Sequence, residues 1–345
     1  VLRKFVIHHF GRRHELHFGR MRVAAKAIRL HGKGGAQKHW LTTILHITVV
    51  DPLKRVAAHG QVRQVSQKRR VSLGHTDLDD IANSGTVAFA NPNAQSYGGV
   101  ISGTGGIFKN NSGDLSLSGA GANTFSGTTV VNAGILRLNR FFTIAGLDVI
   151  ITPGTVAIPG DLVIGTGNGG LVGDIAVLDR DNQIANTSDV TVNGSGSLEL
   201  SDENDTIGSL TLLAGHVSTG TGTLTVGGNV RVNSGTANST LSGRLNLGSG
   251  PARIFDISQS AQLNVSAEIS GAVGVSLVKS NRGTLYLSAS NVFSGDVEIL
   301  GGVLGIGHGS ALGNTTGVTK PLLGTLAING TMGIPETLVY SGPVG

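Results

Sequence analysis

The sequence predicts an all-β fold: a right-handed single-stranded parallel β-helix, a solenoid, over residues 84–345, preceded by a poorly structured basic segment. Three observations predict it. Short apolar–polar alternations are separated by Gly or Asn, no long stretch keeps a helical period, and one motif of about 40 residues occurs twice.

Composition narrows the class first. The 345 residues include 54 Gly and no Cys, with 39% apolar and 14% charged residues. That apolar content is enough to bury a core, which argues against intrinsic disorder. The glycines keep no three-residue period, which excludes collagen. Absence of Cys excludes disulfides and thiolate metal sites.

Charge divides the chain. Residues 1–80 hold 16 Lys+Arg against 5 Asp+Glu, a net +11, whereas the remainder holds 10 against 16, a net −6. Nine of the 11 His also lie before Asp80, and 47 of the 54 Gly lie after Ser84. Two regions are therefore expected: residues 1–83, basic and His-rich, and residues 84–345, the solenoid. The first reads as a disordered segment or as translation upstream of the true gene start. Within it residues 21–30 suggest a short basic helix and residues 40–50 a buried strand. The apolar run at 40–50 contains His46 and is too short to span a membrane, which takes about 20 residues. No signal peptide is visible. His14 and His17 are three apart rather than the four of the zinc-protease helix, and no third ligand follows at a recognisable spacing. The +11 charge alone suggests an anionic partner. No nucleic-acid fold signature accompanies it, so nucleic acid is not an expected partner.

From Gly85 onward the strands are short and of period two: Thr86-Val87-Ala88-Phe89, Leu115-Ser116-Leu117, Thr129-Val130-Val131, Val190-Thr191-Val192, Ser197-Leu198-Glu199-Leu200 and Thr223-Leu224-Thr225-Val226. The repeat decides the architecture. Ile101-Ser102-Gly103, Gly113 to Ser118, Phe125-Ser126-Gly127 and Ala133 to Leu136 recur as Ile269-Ser270-Gly271, Gly283 to Ser288, Phe293-Ser294-Gly295 and Gly301 to Leu304. The offset between copies is the same at both ends, Ile101 to Ile269 and Gly134 to Gly302, and slightly longer in the middle, Gly113 to Gly283. Strands are thus kept while corners vary. In such a coil alternate Val, Ile and Leu point inward, Thr, Ser and Asn face solvent, and Gly and Asn take the corners. Coils of roughly 20–25 residues give about eleven to thirteen turns.

Tyr97-Gly98-Gly99-Val100-Ile101-Ser102-Gly103, Gly113 to Gly119 and Ala122 to Gly134 together resemble the autotransporter-associated β-strand repeat. The second copy is more divergent, with Asp296 and Glu298 where that family has Thr or Val. The resemblance implies a passenger region displayed at the bacterial cell surface or secreted, associated with the outer membrane. It also implies a partner translocator barrel whose alternating segments this chain, ending at Gly345, does not contain; on this reading the chain is a fragment or has lost its translocator.

Parallel β-helices also carry polysaccharide lyases and hydrolases, which need carboxylates converging on one face. The candidates are Asp179 with Asp181, both on one side if they lie in a strand, and Glu199 with Asp202, Glu203 and Asp205, in a run that reads as a polar turn. Residues 165–170 match G-x-G-x-x-G, but strand and turn rather than a helix follow, so no dinucleotide fold is expected. No catalytic, cofactor-binding or metal residue set is assigned. The expected function is a non-catalytic, surface-exposed or secreted scaffold with a role in adhesion, contacting host or neighbouring-cell surface molecules or carbohydrate. The alternative is a β-helix that binds or cleaves polysaccharide.

Overall fold

A computed structural model describes residues 80–143, 155–166, 173–235 and 237–339, together with the short strands Glu15–Phe18, Met21–Ala24, Arg63–Val65, Arg69–Val71 and Ile150–Ile151. All regular structure among the described residues is strand. The chain divides into two compact units, Val1–Ala58 with Thr143–Ile151, and His59–Phe142 with Thr152–Gly345.

In the first unit Glu15–Phe18 pairs antiparallel with Met21–Ala24, Phe18 opposite Met21 and His17 opposite Arg22. This corrects the helix expected at residues 21–30 as far as residue 24; residues 25–30 lie outside the described residues. Leu16 and Phe18, then Met21 and Val23, alternate with period two about Gly19-Arg20, a hairpin pattern that outweighs the helical propensity of the following alanines. His14 and the strand expected at residues 40–50 lie outside the described residues, as do residues 167–170 of the Gly-rich run.

The second unit is a parallel β-solenoid of about 11 turns. Each coil visits three faces in turn, as in Ile101–Gly103, then Gly106–Lys109, then Leu115–Ala120. The second face runs through thirteen strands from Arg69–Val71 to Thr337–Leu338, and the third through an eleven-strand path from Gln95–Tyr97 to Thr325–Ile328. The strands of consecutive coils pair in parallel. The spacing from coil to coil falls in the expected range where Val190 stacks on Leu210 and where Val230 stacks on Phe255. Insertions lengthen two coils, one between Thr129 and Leu162 and one between Leu162 and Val190.

Register turns the alternation into columns. On the second face Val87, Ile107, Thr129, Leu162, Val190, Leu210, Val230 and Phe255 stack in one buried file. On the third, Leu115, Leu136, Ala176, Leu198, Val217, Leu241, Val265, Leu287 and Ile306 do the same. Burying each Val or Leu contributes about 1.5–3 kcal/mol, and the contact made on both neighbours resists any slip of register. Several strands are longer than their alternation suggests. His216–Val226 pairs with Ser197–Glu199 through its first half and with Asp205–Ile207 through its second, so it crosses a corner and serves two faces; its register against Ser239–Asn246 shifts between Ser218 and Thr223.

Corners break the ladder, and buried polar side chains close it. Asn123 accepts from the Ile101 amide (2.9 Å) on the preceding coil and donates to the Ala157 carbonyl (2.8 Å) on the following one. Asn291 repeats this with Ile269 (2.8 Å) and Ala311 (2.5 Å). Lys109, fully buried at an inward position, donates to the carbonyls of Asn111 and Ala133, each at 2.7 Å. Lys279 donates to Ser280 (2.7 Å), Asn281 (2.9 Å) and Gly301 (3.1 Å). Arg253 does likewise with Val226, Ala252 and Ser249. These cations are held by carbonyl oxygens, the acceptors that the turning backbone leaves over.

Asn291→Ala should lower stability by about 1–3 kcal/mol because it strands a buried amide. It should also collapse hydrogen-exchange protection at the Ile269 amide, and unchanged protection there would count against the corner role. Lys279→Met keeps the alkyl stem but leaves three carbonyls without their donor, so a loss of similar size, about 1–3 kcal/mol, is expected in urea unfolding.

Candidate functional site

Of the acidic residues singled out above, Asp179, Asp181, Asp202 and Glu203 lie at consecutive corners that follow the third face, whereas Glu199 and Asp205 lie on strands. Strand Asp174–Leu178 ends before Asp179, and residues 179–182 turn, with Asn182 at a positive φ of 56°. Asp179 and Asp181 therefore lie in a polar corner and not in a strand, so the condition for their sharing a side by period two is not met. The Asp179 carboxylate meets Arg137 (3.2 Å), which also lies 3.5 Å from Asp114, so Arg137 ties three successive coils on the outer surface. Asp181 accepts from the backbone amide of Asn204, one coil on, at 2.6 Å.

The second cluster is built similarly. Ser201 and Asp202 form the turn with positive φ, and the Asp202 carboxylate accepts from the Thr221 amide (2.7 Å) and hydroxyl (3.1 Å) of the next coil. Asn204 accepts from the Thr223 amide at 3.0 Å. Asp205 is buried and accepts from the amides of Gln183 (2.9 Å), Ile184 (3.0 Å) and Thr206 (2.8 Å). Glu199 lies on its strand in register with Val177 and Ser218. The carboxylates are thus spread over successive coils; Asp181, Asp202 and Asp205 accept from main-chain N–H groups, and Glu203 is hydrogen-bonded to Asp181 across the corner. Among the described residues no three His, Asp or Glu side chains come together to hold a metal ion.

Other acidic and amide residues extend the same device: Asp80 accepts from Val100, Asp161 from Asp189, Asp189 from Ser209 and Asn229 from Ile254, each one coil on. Asp296 accepts from Val318 at 3.1 Å and pairs with Lys320, so the divergent acid of the second copy has the same structural use. Sequence reasoning missed these residues. Their only signal is the recurrence of Asp or Asn immediately before a strand, as at Asp161, Asp189, Asn229 and Asp296 on the second face.

Electrostatics follows from the geometry. Burial pushes Asp205 up to about 7 in spite of its three backbone donors. Burial also pushes Glu336 up to about 7, with Thr319 acting against it and Asp296 with it. Glu203 is raised by burial and by its hydrogen bond with Asp181. Asp202 is lowered, chiefly by the Thr221 amide and hydroxyl.

The two copies of the motif carry this architecture in parallel. Lys109 and Lys279 close one corner; Asn123 and Asn291 close another. Phe125 and Phe293 fill the core beside the asparagines. Gly134 and Gly302 take positive φ of 71° and 64°, with a Cβ excluded at 2.6 Å by the Ser112 carbonyl and at 2.2 Å by the Gly283 carbonyl. A family model described as the passenger-associated-transport-repeat matches residues 107–138 and 277–306, which hold all four of these pairs. The chain carries passenger-associated transport repeats. These repeats and the solenoid are consistent with an autotransporter passenger region, and repeats of this kind imply a surface-displayed or secreted protein. Comparison with curated proteins and with solved structures returned no match.

The shifted carboxylates predict the pH profile. Asp205 and Glu336 have folded values raised above the unfolded ones. Their contribution is full below about 4 and is lost as the pH rises through about 7. Asp202 and Asp296 have lowered values, so their contribution is present above 3.8 and lost as the pH falls through the folded value. Stability should therefore peak in mildly acid solution and decline toward neutrality. Asp205→Asn should flatten that decline in urea midpoints measured from about pH 4 to 8; an undiminished slope in the variant would remove Asp205 as its source.

Proposed function

We propose that this protein is a non-catalytic surface scaffold, the passenger-type stalk of an autotransporter-like system, with a role in adhesion to host or neighbouring-cell surfaces. The observation that carries the reading is the fate of the carboxylates: Asp181, Asp202 and Asp205 are engaged by backbone amides of adjacent coils. General acid–base chemistry on a glycan takes two carboxyl groups flanking one bond, about 5–10 Å apart and open to substrate. A stalk instead needs a continuous stack whose outer rows are solvated, as Thr191, Thr211, Ser218 and Ser242 are on their strands. Export through an outer-membrane translocator and display outside the cell complete the proposal.

The test is protease treatment of intact native cells followed by fractionation. External protease should remove the protein while a cytoplasmic marker survives, and the undigested protein should fractionate with the outer membrane or the medium. Full protection together with recovery from the cytoplasm would defeat the display reading.

A further inference from the structure

The outer side of the third face changes character between the two repeats. In the second repeat Asn264, Tyr286, Gly305 and Ala327 lie side by side in register across four coils. A Cβ on Gly305 would come within 2.8 Å of Tyr286 Cδ2, and one on Gly307 within 2.3 Å of Tyr286 Oη. The ring therefore lies along the sheet, seated on these two glycines with its hydroxyl toward the following coils. Asn329, two coils on, donates to Tyr286 Oη at 3.3 Å. On the other flank Gln262 donates to Asn264 at 2.6 Å, which sets two amides beside the ring. Thr284 and Ser288 stand two positions before and after Tyr286 on the outer side of the same chain segment.

The first repeat shows that the coil does not need this arrangement. Its corresponding positions are Ser116, Arg137 and Asn139, and there Arg137 makes the outer ion-pair rung with Asp114 and Asp179. Glycine weakens a strand interior and marks places where something approaches the backbone closely. Here Gly305 and Gly307 leave room for the half-buried Tyr286 side chain, whose Cδ2 edge and hydroxyl lie over them. The surrounding side chains, Gln262, Asn264, Thr284, Ser288 and Asn329, are all uncharged amides and hydroxyls.

We propose that Tyr286, with Gln262, Asn264 and Asn329, forms a binding subsite for a neutral polysaccharide. A sugar ring has an apolar C–H face that stacks on an aromatic face and a rim of hydroxyls that amides can both donate to and accept from. A flat platform suits an extended chain lying across coils. The absence of cationic side chains among these residues gives nothing to attract an anionic polymer. One ring and a few amides give weak contact, with a Kd on the order of 1 mM per site, which gains strength when many copies meet one long polymer. The inference rests on the reading of this face as displayed surface and names the class of molecule it meets.

Affinity electrophoresis of the purified full chain tests it, with dextran, β-1,3-glucan, mannan or xylan cast in the gel and polygalacturonate as the anionic control. The wild type should be retarded by at least one neutral polymer. Tyr286→Leu should weaken that retardation about tenfold, Asn329→Ala about threefold, and Tyr286→Phe should retain it. Urea unfolding of each variant separates loss of binding from loss of fold. Retardation by none of the neutral polymers, by polygalacturonate alone, or equal retardation of folded Tyr286→Leu overturns the proposal. Because the protein is assayed in isolation, these outcomes are independent of where native cells place it.

Discussion

Backbone groups shielded from water must be paired, and a parallel coil pairs them automatically only along its straight runs. Where the chain turns from one face to the next, amides and carbonyls diverge from the ladder and need other partners. The side chains of Asn123, Asn291, Asp181, Asp202, Asn204 and Asp205 supply acceptors to such amides, and Lys109, Lys279 and Arg253 supply donors to such carbonyls. Each links a coil to a neighbour. The apolar columns give the stack its cohesion, and these corner bonds keep adjacent coils aligned.

That constraint gives the acidic corner residues a structural use. A carboxylate that accepts from N–H groups of an adjacent coil has fewer lone pairs open to other partners, and the Glu203 and Asp181 carboxyl groups are further engaged with each other. Asp205 shows the tension most clearly: three amides favour its charged form, yet burial outweighs them and carries it up to about 7. A buried acid of this kind makes stability responsive to pH without requiring a reaction.

Much of the fold was legible because period two and a duplicated motif are strong signals. Thr86–Phe89 and Thr129–Val131 are strands where their alternation places them, and the near-constant offset between copies pointed to coils with variable corners. The corners themselves were not legible. Lys109 follows Ile107 and Phe108, so alternation alone turns it inward while its charge argues for solvent; only its counterpart at Lys279, in the same place of the second copy, marks it as built in. Asp179 and Asp181 look paired until the strand is seen to end at Leu178. His216–Val226 is one continuous strand, yet its register shifts between Ser218 and Thr223, where Gly220 takes a positive φ of 62° at the corner. In each case tertiary pairing decided what short-range pattern could not.

The two repeats agree inside and differ outside, and the physics of the stack gives the reason. An inward residue touches equivalents on the coils before and after it, so a change of volume there disturbs two neighbours at once. An outward residue answers only to its lateral neighbours and to solvent. Ser116, Arg137 and Asn139 could thus give way to Tyr286, Gly305 and Gly307 while Leu115, Leu136 and Asn123 kept apolar or amide counterparts in Leu285, Leu304 and Asn291. The three outer positions are also coupled sterically, since a Cβ on Gly305 or Gly307 would crowd the Tyr286 side chain. A solenoid built this way can alter what it contacts one coil at a time without disturbing what holds it together.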